Sequence, residues 1–309
     1  VLRRALLSVS RSERFERLIS TAPVTRSVVA RFVAGATVDD AIRASRELTR
    51  DNLLVTIDRL GEDTFELAQA EEATKAYVAL LGRIGEAGLG RTTEVSMKLS
   101  AFGQALGGDG EKIALENARQ VCAAAAEIGT TVTLDMEDHT TVDSTLGILA
   151  ELRKDFPFVG AVLQAYLRRT EADCRDLATA GSRVRLCKGA YKEPESVAYQ
   201  AKGDVDKAYV RALRILMQGE GYPMIASHDP RIIEIAGSLA SEAGREKGSY
   251  EYQMLYGIRP EEQSRLAAAG EKMRVYVPYG DDWYGYFMRR LAERPANLTF
   301  FLRSLVTRK

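Results

Sequence analysis

The sequence predicts a (β/α)8 barrel of the TIM type carrying a helical amino-terminal extension. Three observations support this: short β-branched runs alternate with longer helical segments, about eight such runs occur, and parity within them separates apolar from polar side chains. The runs fall at residues 53–58, 94–99, 132–137, 162–166, 183–188, 224–228, 250–255 and 274–278. Segments 64–87, 111–127, 140–154, 205–217 and 231–243 between them read as helices, with a final helix over 283–293 and a closing segment from Pro295. Residues 1–50 are then the helical extension and 51–309 the barrel. The amphipathic stretch 1–19 fits an ordinary helix better than a transit peptide, because Glu13 and Glu16 interrupt its basic character.

Composition narrows the functional classes. Lys+Arg and Asp+Glu are equal at 43 each, so no net field draws the chain to nucleic acid, and a small-molecule partner is favoured. Three cysteines, Cys122, Cys174 and Cys187, are too few and too internal for a disulfide framework, which points to the reducing cytoplasm. No apolar run reaches the roughly 20 residues of a membrane span.

Side chains alternate across a strand, and a barrel strand packs one face under helices. In the second run Val95, Met97 and Leu99 share one parity, against Glu94, Ser96 and Lys98. In the third, Val132, Leu134 and Met136 oppose Thr133, Asp135 and Glu137. With the aliphatic set under the helices, Lys98, Asp135, Glu137, Gln164, Arg185, His228, Gln253 and Tyr276 face inward near the carboxyl ends, where barrel enzymes build active sites.

Four features carry candidate chemistry. An inward Lys98 requires an anionic ligand or a carboxylate partner such as Asp135 or Glu137. Arg185, Lys188 and Gly189 end the fifth run, where the glycine would let a ligand approach the backbone; a Schiff-base lysine of a lyase or aldolase, Lys188 or Lys98, fits the same pattern. His228 closes the sixth run. Two histidines in all rule out a histidine-rich metal site, which leaves Asp135 and Glu137 with magnesium as the one metal reading. Tyr286, Arg289 and Arg290 stand at i, i+3 and i+4 on one helix face, and paired guanidinium groups suit a carboxylate. No Rossmann or Walker loop is present, so a nucleotide cofactor would bind in the barrel itself.

Asp135-Met136-Glu137, Gln164-Ala165-Tyr166-Leu167, Arg185 through Tyr191, Glu251 through Gly257, and Tyr276-Val277-Pro278 followed by Tyr286 to Arg290 occur in an order that closely resembles the proline dehydrogenase family, in its short bacterial form. The resemblance implies a distorted form of this barrel, FAD bound without a Rossmann fold, and oxidation of L-proline to 1-pyrroline-5-carboxylate; the sequence itself does not separate proline from hydroxyproline as the preferred substrate. It also implies electrons passed to a membrane quinone through peripheral contact with the inner face of the cell membrane. Arg289, Arg290 and Lys98 would clamp the substrate carboxylate. Tyr276, Tyr286 and Leu255 would line the ring pocket, Tyr191 would lie near its edge, and Asp135 would belong to the polar network beneath. Gln164 and Arg185 would address the flavin ring; Lys188, Gly189 and His228 the rest of the cofactor. No aldehyde dehydrogenase module follows the last barrel helix, so a separate pyrroline-5-carboxylate dehydrogenase is expected to take the product.

Overall fold

A computed structural model of the chain describes residues 29–61 and 64–293, of which 289–293 by backbone only. The helix expected over 1–19 and the segment from Pro295 lie outside the described residues. Eight parallel strands close on themselves in sequence order: β1 (Leu54–Arg59), β2 (Thr93–Lys98), β3 (Val132–Asp135), β4 (Gly160–Gln164), β5 (Arg183–Cys187), β6 (Tyr222–Ala226), β7 (Glu251–Leu255) and β8 (Met273–Tyr279), with β8 pairing back to β1. The predicted barrel is therefore the observed one, although the second and fifth strands stop one residue, and the third, fourth and sixth two residues, before the ends of their β-rich runs. β3 ends at Asp135 because the chain turns away to let the Glu137 carboxylate accept from the Ser100 amide at 3.1 Å and its hydroxyl at 2.6 Å.

The helices are α1 (Val38–Arg50), α2 (Leu67–Glu86), α3 (Gly110–Glu127), α4 (Val142–Arg153), α5 (Thr170–Leu177), α6 (Lys202–Gln218), α7 (Pro230–Glu242), α8 (Pro260–Ala268) and α9 (Trp283–Glu293). Local sequence sets their ends. Thr37 caps α1 by accepting from the Asp40 amide while the Asp40 carboxylate reaches back to the Thr37 amide at 3.1 Å. Pro230 opens α7 behind Asp229, whose side chain accepts from the Arg231 amide.

Val55, Ile57, Val95, Met97, Leu134 and Leu186 form the layer between strands and helices, all but fully buried. Two buried phenols bolt helix to sheet: Tyr77 of α2 donates to the Ser96 carbonyl at 2.8 Å, and Tyr209 of α6 to the Leu186 carbonyl at 2.9 Å.

One helix is out of its expected place. In a regular barrel the helix after β8 returns along the outside and covers the β8–β1 seam. Here α1 packs on β1 and β8 instead. The last helix, α9, buries Tyr284, Tyr286, Phe287 and Met288 with Phe32, Val33 and Leu60, a cluster beyond the carboxyl end of β1. The segment leading into α1 crosses this mouth: the Ala34 amide donates to the Pro278 carbonyl and the Gly280 amide to that of Gly35. It passes so close to Gly257, at φ +72°, that a Cβ there would lie 1.7 Å from the Arg31 carbonyl oxygen.

The seating of α9 rests on apolar contact, with Phe287 fully buried. Phe287→Ala should lower stability by about 3 to 5 kcal/mol through transfer and cavity costs, read from urea denaturation; a loss under about 1 kcal/mol would mean that the helix is not docked there.

Candidate active site

Strand register assembles the carboxyl-end mouth. Lys98 stands beside Asp135 across β2 and β3, and Leu255 beside Tyr276 across β7 and β8. The inward parity of these residues follows from the aliphatic residues between them, which the helices cover. Four of the residues singled out from sequence meet here: Lys98, Asp135, Arg185 and Tyr276.

Asp135 is the hub. Its Oδ1 accepts from Arg185 Nη1 at 2.7 Å and from the Ser96 hydroxyl at 2.7 Å, and its Oδ2 accepts from the Tyr276 hydroxyl at 2.6 Å. The Arg185 guanidinium also lies 5.2 Å from the Tyr276 ring centroid, a cation–π contact. Lys98 Nζ is 3.8 Å from Asp135, but its principal partner is Asp58 at the end of β1, which receives it at 2.9 and 3.0 Å. Sequence reasoning did not single out Asp58. The available signal was a carboxylate in the inward parity of the first run, two residues beyond Thr56.

Burial pushes the Asp58 carboxyl up to about 6, against the pull of Lys98 and with the neighbouring Asp135 charge adding to the rise. Burial also raises the Tyr276 phenol well above its ordinary value, helped by Asp135 and Asp58. Tyr276 is therefore a neutral hydroxyl that donates to Asp135.

Gln164 and Arg185 present a second surface of the mouth. Gln164 Nε2 donates to the Met136 carbonyl at 3.3 Å, while its Oε1 is buried with no hydrogen-bond partner among the described residues. The same holds for Arg185 Nε and Nη2. Gln164 Oε1 and Arg185 Nε thus place an orphaned acceptor and an orphaned donor on adjacent strands, while Arg185 Nη2 lies 3.7 Å from Glu94 Oε1 on the side of the amino ends.

The remaining predicted cofactor residues form a separate group. Lys188, just past β5, is held by Asp206 at 2.5 Å and Asp229 at 3.3 Å. Gly189 has φ +104°, and a Cβ there would meet the Tyr166 ring at 2.3 Å. That close approach to a protein ring is what the glycine permits on its Cβ side. His228 Nε2 accepts from the Leu255 amide at 2.9 Å, so a neutral imidazole carries its proton on Nδ1, and the His228 carbonyl accepts from Arg259 at 2.9 Å. Asp135 and Glu137, the pair considered for magnesium, turn to different partners, the Arg185 group and Ser100. Tyr286 is buried in α9; the side chains of Arg289 and Arg290 lie outside the described residues.

Because the folded Asp58 holds its proton more tightly than an ordinary aspartate, near 4 when unfolded, its stabilising contribution is complete below that value. It is lost as pH rises through about 6. Thermal unfolding should show stability falling across that window, and Asp58→Asn should flatten this part of the profile.

Comparison with known proteins agrees with this architecture. The proline dehydrogenase family model matches residues 41–303. Proline dehydrogenase 1 of Bacillus subtilis (strain 168) is 37% identical over 99% of this chain and 99% of its own length. The proline dehydrogenase of Deinococcus radiodurans is 40% identical over 98% and 97%. Among solved structures, proline utilization A (PutA) from Bdellovibrio bacteriovorus, inactivated by N-propargylglycine, superposes with a TM-score of 0.81 at 26% identity, covering 87% of this chain. The chain spans about a third of that PutA protein, 33%. With a closed eightfold barrel, a polar network at its carboxyl end and a family match over most of its length, the chain is an enzyme of the proline dehydrogenase family.

Proposed function

We propose that the chain oxidises L-proline to 1-pyrroline-5-carboxylate with FAD held at the carboxyl-end mouth, and that electrons pass on to a membrane quinone. The observation that carries this reading is the buried network of Asp58, Lys98, Asp135, Arg185 and Tyr276 beside the orphaned polar atoms of Gln164 and Arg185. We take 51–309 as the catalytic unit and 1–50 as an extension to it, of which the described helix α1 packs on β1 and β8.

Gln164 Oε1 and the Arg185 guanidinium would hold the polar edge of the flavin ring, with Lys188, Gly189 and His228 toward the rest of the cofactor. FAD, when bound, would supply the acceptor for a hydride from the ring methylene bonded to nitrogen, the amine losing its proton as the C=N bond forms. Arg289 and Arg290 of α9, with Lys98 opposite, would clamp the carboxylate, and such orientation contributes several kcal/mol to the barrier. Asp58 fixes Lys98 from below, so the ammonium reaches the substrate from one side only. Leu255, Tyr276 and Tyr286 would bound the ring and keep water from it. The cations around the substrate favour the neutral amine, which the oxidation requires.

A Schiff-base lyase on the same barrel has less support. Lys98 and Lys188 are both engaged with two carboxylates, whereas that chemistry needs an amine delivered to a substrate carbonyl. Borohydride with a carbonyl substrate should trap no adduct.

The purified protein should be yellow, and its flavin absorbance should bleach on anaerobic addition of L-proline; a colourless preparation, or bleaching with hydroxyproline alone, overturns the reading. N-propargylglycine should inactivate it irreversibly. Arg289→Met should lose about 2 to 5 kcal/mol of transition-state binding in proline kcat/KM, and the control Arg294→Met, outside the Tyr286, Arg289 and Arg290 set, much less. Equal losses would move the carboxylate clamp elsewhere.

A further inference from the structure

The sixth strand stops where the seventh still needs a partner. Between β6 and β7 the Ser227 amide donates to the Gln253 carbonyl at 3.2 Å, and a ladder continued in the same register would carry the Leu255 amide to the Ser227 carbonyl. β6 ends at Ala226, however, and the Leu255 amide donates to Nε2 of His228 at 2.9 Å. A side chain thus stands in for a backbone acceptor at the carboxyl-end mouth, where Leu255 lies beside Tyr276 in the β7–β8 register.

The carbonyl of Leu255 is held as well. Gln263, buried in α8, donates from Nε2 to the Leu255 carbonyl at 3.2 Å and to the Ile258 carbonyl at 2.9 Å. Between them Arg259 has a left-handed backbone at φ +53°, which a residue other than glycine adopts only at a cost. Its Nη1 donates to the His228 carbonyl at 2.9 Å. His228 therefore fastens the end of β7 twice, through its ring to Leu255 and through its carbonyl to Arg259.

The ring contact depends on one proton. An amide N–H needs a lone pair opposite it, and imidazole offers one at Nε2 only while the ring is neutral with its proton on Nδ1. Protonation sets an Nε2–H against the Leu255 N–H, donor against donor, and the contact is lost. The charged groups next to His228 are already engaged: Arg259 with the His228 carbonyl, and Asp229, next in the chain, with Arg231 at 2.9 Å and Lys188 at 3.3 Å.

We propose that His228 is a positioning residue for the substrate-ring pocket, acting through the Leu255 amide, and that only its neutral form sets the Leu255 side chain in place. The inference rests on the reading of Leu255 as a wall of that pocket, and it gives His228 a task besides its place toward the cofactor. Substrate affinity is then governed by a group that does not touch the substrate. Leu255 is apolar and meets the ring alike in the ground state and the transition state, so the effect falls on KM more than on kcat.

The probe is cyclopentanecarboxylate, a ring carboxylate with no amine to titrate, used as a competitive inhibitor of proline oxidation by the FAD-loaded enzyme. Its inhibition constant is read from about pH 8.5 down to about pH 5.5, the range in which imidazoles change charge. In the unaltered enzyme it should rise by about ten-fold toward low pH, the worth of one hydrogen bond. His228→Gln brings Oε1 to the place of Nε2 and does not titrate, so it should keep the high-pH affinity throughout. His228→Asn, whose Oδ1 stands where Nδ1 does, and His228→Leu should bind about ten-fold more weakly at every pH. Leu255→Ala should weaken the probe too, and in that background His228→Leu should add nothing. An inhibition constant that is flat with pH, a Gln variant no better than the Asn variant, or a pH step of full size in His228→Gln overturns the proposal, the last by assigning the step to Asp58. Where Leu255→Ala weakens the probe and His228→Leu does not, the proposal falls alone; where Leu255→Ala changes nothing, the reading of the pocket falls and takes the proposal with it.

Discussion

Asp135 accepts from Arg185, Ser96 and Tyr276 while lying 3.8 Å from Lys98, and Lys98 in turn is received by both oxygens of Asp58. Ionised groups this deep in a barrel are tolerated only when each has a partner and its remaining lone pairs and protons are used. That requirement fixes the rest of the mouth. The ends of β1, β2, β3, β5 and β8 must be held in one register for the five side chains to meet, and the closed sheet supplies it. Removing one member leaves a buried charge without its counterpart, so the network behaves as a unit.

The same principle divides the barrel interior into two tiers. The lower tier, built on Glu94, Glu251, Arg183 and Arg274, binds strand to strand near the amino ends and uses side chains on the same parity as the reactive tier above. Arg185 joins them, 3.7 Å from Glu94 below and hydrogen-bonded to Asp135 above. The interior is thus continuously polar along β2 and β5, while the outward faces of those strands are as apolar as any core.

Much of this was legible in the sequence, for a physical reason. Period-two alternation is enforced by the backbone, so Lys98, Asp135, Arg185 and Tyr276 could be assigned to the interior before any register was known, and the order of strands followed from the crossover helices. Height within the barrel was not legible. Parity says that Glu94 and Lys98 face the same way, but which inward residue of a neighbouring strand stands beside each depends on stagger. That is why Asp58 escaped notice as the partner of Lys98, and why the lower tier was missed. Nor does a sequence show which side chain stands against a glycine, as the Tyr166 ring stands against Gly189. The exchange of α1 for the helix after β8 is a contact between opposite ends of the chain, which local pattern does not encode.

That exchange has an evolutionary consequence. In a regular barrel the last helix is structural, and its outward turns cover the seam where the sheet closes. Here the seam is covered by α1, and α9 is held across the mouth by a small apolar cluster of its own with Phe32, Val33 and Leu60. Closure of the sheet and cover of the mouth are therefore carried by different stretches of polypeptide. Substitutions on α9 outside its buried residues Tyr284, Tyr286, Phe287 and Met288 can therefore reshape the cover of the mouth while the seam that closes the barrel stays intact.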